Sequence, residues 1–365
     1  MRTTEAVETA RRAIEICNAC RYCDGYCAVF QVMELRRAFS NEDLGYMANL
    51  CHNCRNCYYA CQYAPPHEFA INLPKSFSQV RTETYEEYAW PRPLANLFRR
   101  NGVIVSVAVA LGIAITLILT VGLQAPEERF NPHLGPGAFY AIIPWKIMVS
   151  VASATLGLSL VSLTVSVFGF WRDTGGRVPK ANNFRALWTA FYDVLTLRNL
   201  GGGGHGCNDY GESFSRARRH FHHVMLYGLV LCFASTAIAA TYDHILDWRA
   251  PYPLLSIPVV LGTIGGLGMV AGTAGLAWIK IIGDPNPTAR NVLGADYALL
   301  SLLLLVAVSG LLLLVFRETA TMSVLLAIHL GIVLSFFLLL PYSKFIHGGY
   351  RAAALLRAAM ERGGA

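Results

Sequence analysis

Eight of the ten cysteines lie between Cys17 and Cys61, in two copies of one pattern. Cys17, Cys20, Cys23 and Cys27 are spaced C-x2-C-x2-C-x3-C, and Cys51, Cys54, Cys57 and Cys61 repeat that spacing. Thiolates at this spacing are ligands for iron–sulfur clusters. Three cysteines two residues apart can wrap one face of a cubane, because a tight turn brings their sulfurs to three irons. The fourth lies too far along to reach the same cluster, and in two-cluster proteins it ligates the other one. The expected sets are therefore Cys17, Cys20, Cys23 and Cys61 on one [4Fe–4S] cluster, and Cys51, Cys54, Cys57 and Cys27 on a second. Two zinc sites are the competing reading, but zinc usually takes separated C-x2-C pairs rather than two identical four-cysteine runs. Two neighbouring clusters conduct electrons and are not in themselves a catalyst.

The proline that commonly follows the fourth cysteine is missing: Ala28 follows Cys27 and Gln62 follows Cys61. That departure favours a helical ferredoxin-like module, as in the iron–sulfur subunits of fumarate and succinate oxidoreductases, over the small β-rich ferredoxin.

Histidines form the second candidate set. His220, His222 and His223 stand at the start of one long apolar run, with His244 beyond its far end. His329 lies inside the last apolar run and His347 just past it. An imidazole within a membrane is costly without a partner and marks a functional site by default. Haem b held by two histidines would supply one. His329 and His347 are eighteen residues apart, about 27 Å along a helix. His223 and His244 are twenty-one apart, about 31 Å. In antiparallel helices His223 would meet the level of His347, and His244 that of His329, leaving room for one or two haems. Water or headgroups could equally satisfy His220, His222 and His347.

Little else suggests chemistry. Gly201–Gly204 with His205, Gly206 and Cys207 lacks the residues of a nucleotide loop and reads as a flexible loop or a docking surface. Cys207 and Cys232 read as plain thiols, and His67 as structural. No Ser/His/Asp arrangement, carboxylate pair or flavin site is visible, so no organic substrate is expected to react on this chain.

The elements that carry these residues follow from composition. The 365 residues are 54% hydrophobic and 15% charged, against about 25% charged in soluble domains. Mean hydropathy is +0.41, too apolar for a single water-soluble core. Six runs are long enough to cross a bilayer: Val103–Leu123, Ile147–Trp171, Val224–Tyr242, Leu254–Ile279, Tyr297–Phe316 and Met322–Ser343. The glycines of the fourth suggest close helix packing. Ahead of the spans, Thr4–Ile16 reads as a helix, and Ser40 to Asp43 resembles a capping box opening a helix through Leu50. The sequence thus predicts an all-α protein: a helical two-cluster head over residues 1–98, a six-helix membrane domain over 99–348 with a long loop at 172–219, and a tail over 349–365.

Charge orients it. The loop Arg172–Arg219 holds Arg172, Arg177, Lys180, Arg185, Arg198, Arg216, Arg218 and Arg219, while the opposite loops hold Arg129, Arg249 and Arg317, with Lys146 at the outer start of the second span. Arg99 and Arg100 flank the first span, and Lys344, Arg351, Arg357 and Arg362 follow the last. Positive residues stay inside, so head, loop and tail are expected in the cytoplasm of a bacterial-type inner membrane. No apolar run in the first hundred residues is long enough for a signal peptide, which agrees. The net charge of +7 reflects this topology rather than nucleic-acid binding.

The stretches ICNACRYCDGYCAVF, LCHNCRNCYYACQYAPPHEFA and TYEEYAWP, with GGGGHGCN, RRHFHH, LLAIHLG and PYSKFIHGGYR further on, resemble the tricarballylate-utilisation protein B family, also called citrate-utilisation protein B. The resemblance covers nearly the whole chain. The body is similar, more loosely, to the haem-b gamma subunit of respiratory nitrate reductases. The family resemblance implies electron transfer. A separate FAD-dependent dehydrogenase oxidises tricarballylate to cis-aconitate, and protein B reoxidises its flavin and feeds the membrane quinone pool. The alternative is an anchor for another flavoprotein or for a heterodisulfide-reductase-like respiratory complex. A redox sensor or a transporter fits less well, because there is no output domain and no repeat among the spans.

Overall fold

The computed structural model describes residues 1–94, 101–125, 131–176 and 184–363. Arg99, Arg100, Arg129, Arg177, Lys180 and the expected boundary near residue 98 lie outside the described residues. Helices dominate. Among the described residues the extended pairing is a single isolated bridge, Cys207 to Ser215.

The head contains α1 (Glu5–Cys20), α2 (Ala28–Met33), α3 (Asn41–Leu50), α4 (Asn56–Tyr59) and α5 (Leu73–Tyr88). Local signals set their ends. The Thr4 hydroxyl accepts from the Val7 amide to start α1, a cap worth about 1 kcal/mol. Ser40 and Asp43 form the reciprocal capping box of α3. Asn72 caps α5, whose second residue is Pro74. One apolar core joins these helices through Val7, Ile14, Phe30, Met33, Met47 and Phe77. The C-terminal helix completes it: Ala354, Leu355 and Ala358 are buried in the same core. The tail is therefore a structural part of the head.

Six helices are long and apolar enough to cross a membrane, and the chain is a multi-pass membrane protein. They are α6 (Asn101–Leu123), α8 (Trp145–Asp173), α10 (Ala217–Ile245), α11 (Ile257–Ile282), α12 (Arg290–Phe316) and α13 (Met322–Leu339), joined by the short α7 (Ala138–Ile142) and α9 (Phe184–Leu195); α14 (His347–Gly363) ends the fold. Their outer faces carry exposed apolar side chains such as Val103, Ile118, Phe168, Leu267 and Val315, as lipid contact requires. The third helix begins seven residues ahead of the apolar run read from sequence, so its three clustered histidines are helical.

Small residues set the packing. At Gly272 of α11 a Cβ would lie 2.5 Å from the Met225 amide nitrogen of α10, and at Gly228 of α10 one would lie 2.7 Å from the Gly265 carbonyl. The glycines of the fourth span thus bring two backbones together, as expected. Helices α6 and α13 meet in the same way: a Cβ on Gly112 would lie 2.5 Å from the Gly331 carbonyl. Hydroxyls add bonds, from Thr116 to the Ala327 carbonyl at 2.7 Å and from Ser335 to the Ala108 carbonyl at 2.9 Å.

Candidate functional site

Both cysteine runs sit where a helix gives way to a tight turn. Cys17 and Cys20 occupy the last turn of α1, three residues apart and so on one face. Arg21 then turns the chain in the left-handed region, with φ 55°. Cys27 stands at the start of α2. In the second run Cys51 ends α3, and Asn53 and Arg55 both take left-handed φ, 54° and 69°. Such residues are uncommon outside glycine; here they fold the run back on itself, so that the Asn53 amide reaches the Cys51 sulfur at 3.4 Å.

The turns form two recesses. One is lined by Cys17, Cys20, Cys23, Cys57 and Cys61. The other is lined by Cys27, Cys51, Cys54 and Cys57. Cys61 thus lies beside the first run and Cys27 beside the second, while Cys57 lines both recesses. Among the described residues no three or more His, Cys, Asp or Glu side chains converge as a site for a single metal ion; each quartet rings a volume instead.

Electrostatics fits this donor set to a positively charged core. Burial, then the neighbouring Cys61, Cys23 and Cys20, pushes the Cys17 thiol up to about 12. Burial and Cys61 push Cys23 to about 12. Burial is also the first cause for Cys54, raised to about 12, and for Cys27 and Cys57, which move in the same direction. Four thiolates cannot crowd together in low dielectric unless a cationic metal centre compensates them; without one, burial keeps these groups as neutral thiols.

The Gly-rich segment is not free. It runs under the second cysteine loop and binds it. The buried Asn56 side chain donates to the Gly202 and Gly206 carbonyls at 3.0 and 2.9 Å, and the Asn208 amide donates to the Cys54 carbonyl at 2.9 Å. Gly202 and Gly203 take φ 51° and 76°, and a Cβ on Gly203 would lie 2.6 Å from the Tyr26 carbonyl. Cys207 is buried beside Cys54 of the inner quartet, the quartet of Cys27, Cys51, Cys54 and Cys57 that lies toward the membrane helices, and its sulfur receives the Arg218 guanidinium at 3.2 Å. The sequence offered no sign of this role, since a run of glycines looks alike in a loop and in a socket.

The histidines separate into different surroundings. His347 at the start of α14 faces His222 of α10, with ring centres 6.3 Å apart and planes at 73°. The Nδ1 of His347 bonds to the Lys344 carbonyl at 2.5 Å, which leaves Nε2 available. Burial first, then Arg351, holds His347 well below the usual histidine range, so it is neutral. The Nδ1 of His222 is buried without a hydrogen-bond partner. His223, one residue on, packs against Tyr227 instead. The expected facing of His223 and His347 is therefore taken by His222 and His347, because adjacent residues of a helix point about 100° apart. His244 packs edge-on to Trp145, with ring centres 4.9 Å apart. His329 bonds through Nδ1 to the Ser309 hydroxyl at 2.9 Å, in space that Gly310 leaves open. These contacts do not join His244 to His329. His67 holds the Phe69 amide at 3.1 Å and packs on Tyr63, a structural role.

Below the inner quartet lies a charged layer. Asp296 of α12 is buried and bonds both Lys280 of α11 and Lys344. Arg55, from the cysteine loop, reaches the Asp209 and Asp284 carbonyls and the Thr288 hydroxyl at 3.2, 3.1 and 2.8 Å. It ties the head to the membrane domain.

Two family models match the chain. One, described as citrate utilization protein B, covers residues 98–365. The other, described as the citrate utilization protein B Fer4-like domain, covers residues 10–87. A curated relative, citrate utilization protein B of Escherichia coli, is 43% identical over 360 residues, 98% of this chain and 93% of that protein. No solved structure matches.

Proposed function

The chain belongs to the citrate utilization protein B family, and on that premise we propose that it carries electrons from a cytoplasmic flavoprotein into the membrane quinone pool. The donor is the reduced FAD of a tricarballylate dehydrogenase, docked on the head at the cytoplasmic face of the inner membrane. Cys17, Cys20, Cys23 and Cys61 hold one [4Fe–4S] cluster, and Cys27, Cys51, Cys54 and Cys57 hold the other. The observation that carries this reading is the sorting of eight thiols into two adjacent recesses, one toward the head's surface and one against the membrane domain. Such clusters accept and release single electrons, which lets a two-electron flavin and a two-electron quinone be joined in steps.

Haem b belongs to the same path. His222 and His347 bring two imidazoles within 6.3 Å, ring centre to ring centre, and the carbonyl on Nδ1 of His347 orients that ring as such ligands commonly require. His223, His244 and His329 remain the other candidates.

Reduced-minus-oxidised spectroscopy of the purified protein, with electron paramagnetic resonance and iron analysis, tests the proposal. Two [4Fe–4S] signals and a b-type α band are expected. Zinc in place of iron would overturn the cluster reading. His222→Ala is expected to abolish the b-type band and His223→Ala to keep it; the reverse pattern removes His222 from the ligand pair.

A further inference from the structure

The two recesses differ sharply in the charges around them. Three guanidinium groups bond the chain segment that leads into and forms the inner one, and a fourth arginine, Arg55, belongs to that segment with its guanidinium bonded to the Asp209 and Asp284 carbonyls and the Thr288 hydroxyl. Arg351 of α14 donates to the Cys51 carbonyl at 3.0 Å, with the Asn49 carbonyl at 3.4 Å. Arg218 of α10 donates to the His52 and Asn53 carbonyls at 2.9 and 2.8 Å, besides its contact with Cys207. Arg81 of α5 is buried and donates to the Ala48 carbonyl at 2.9 Å. Arg55 lines the recess itself. The nearby acids are fewer: Asp209 stands 3.7 Å from Arg218, and Asp284 is bonded by Tyr59. Lys280 and Lys344 add two cations against Asp296.

The outer recess has no such surround. Its lining is Ile16, Phe30, Tyr22, Gln62, Tyr63, Ile71 and Leu73 beside the cysteines. An acidic residue, Asp24, directly follows Cys23. Arg21 lies at the exposed surface, with its guanidinium turned back to the Asn18 carbonyl at 3.0 Å, where water and salt screen it.

We propose that Arg55, Arg81, Arg218 and Arg351 form a fixed cationic collar that sets the inner cluster at a higher reduction potential than the outer one, giving electrons a downhill direction from the head's surface toward the membrane. The inference rests on the cluster reading above. Reduction adds one negative charge to a cluster, and positive groups held nearby in low dielectric stabilise the reduced form. The guanidinium groups cannot lose their charge at physiological pH, so the bias is permanent. The step moves one electron: the outer cluster is oxidised as the inner one is reduced, and no proton or bond changes. The arginines act as positioning residues, because none of them ligates iron.

Redox titration of the purified full-length protein, followed by electron paramagnetic resonance, tests this. Cys20→Ser and Cys51→Ser assign the two signals to the outer and inner sites. The inner midpoint is expected above the outer one. Arg351→Gln and Arg218→Gln are each expected to lower the inner midpoint by at least a tenfold change in the one-electron equilibrium constant, about 59 mV, leave the outer one in place, and be largely rescued by Arg351→Lys and Arg218→Lys. An inner midpoint at or below the outer one overturns the proposal. So does an inner midpoint unmoved in Gln variants that keep their iron. Where a Gln variant loses iron, the order of the wild-type midpoints decides. Absence of two cluster signals, or signals indifferent to both Cys→Ser changes, would instead refute the cluster reading.

Discussion

Asp43 accepts hydrogen bonds from its own helix start and from an arginine at once. Its carboxylate takes Arg36 at 2.7 Å, the Ser40 amide at 3.3 Å and the Ser40 hydroxyl at 3.1 Å, and Arg36 reaches on to Glu361 at 2.8 Å. Burial alone would raise this carboxyl, yet the bonds and charge of Arg36 draw it below the ordinary value of 3.8. A depressed carboxyl stabilises the fold fully above its unfolded value, and that contribution is lost as pH falls below about 3.8 toward the folded value. Asp43→Asn is therefore expected to cost about 2 kcal/mol at neutral pH and to flatten the acid dependence of the head. Thermal unfolding by circular dichroism at several pH values reads both effects. The capping box around Asp43 was legible in four consecutive residues, Ser40 to Asp43. The link onward through Arg36 to Glu361 was not, because it joins segments more than 300 residues apart. The same limit applies to His222 and His223: the sequence places both at one level of the helix, and only the packing of α10 decides which ring meets His347.

Elements built from long apolar runs were plain in the sequence, since a bilayer demands about twenty such residues and six runs supply them. The Gly201–Gly204 segment is the opposite case. Its conformation is dictated from outside, by Asn56 and by the Tyr26 carbonyl against which Gly203 lies, and no local pattern records that. Gly203→Ala would force a side chain into a left-handed backbone and into the Tyr26 carbonyl. Strain of that kind costs about 1–3 kcal/mol. The expected result is a lower thermal midpoint and reduced iron content, with the inner cluster lost first. Gly25→Ala is the control: a Cβ there meets nothing within 4 Å, and iron content is expected to stay at the wild-type level. Equal loss in both variants would show that the socket does not hold the cysteine loop.

At the scale of the whole molecule the chain closes on itself. The first ninety residues contribute a core that the last helix completes, and six membrane crossings lie between them. An even number of crossings makes this possible, because it returns the last helix to the side where the head waits. Ala354, Leu355 and Ala358 fill the head's core at 0%, 2% and 0% exposure, and Arg357 stacks over the Tyr46 ring at 4.0 Å while pairing with Glu361. The sequence showed α14 as a basic tail because its partner face is supplied by α1 to α5. Through this helix the head is fixed to the end of the sixth span, and the cysteine loops are held against the membrane domain rather than tethered near it. A chain ending at Arg351 keeps His347 and the Arg351 collar but removes those apolar side chains. Loss of one buried leucine alone costs about 2–5 kcal/mol, so the whole segment exceeds what a small domain can lose. The truncated protein is expected to insert its six spans, to retain little iron, and to have its head cut rapidly by protease. Full iron content with a protease-resistant head would show that the head folds without its last helix.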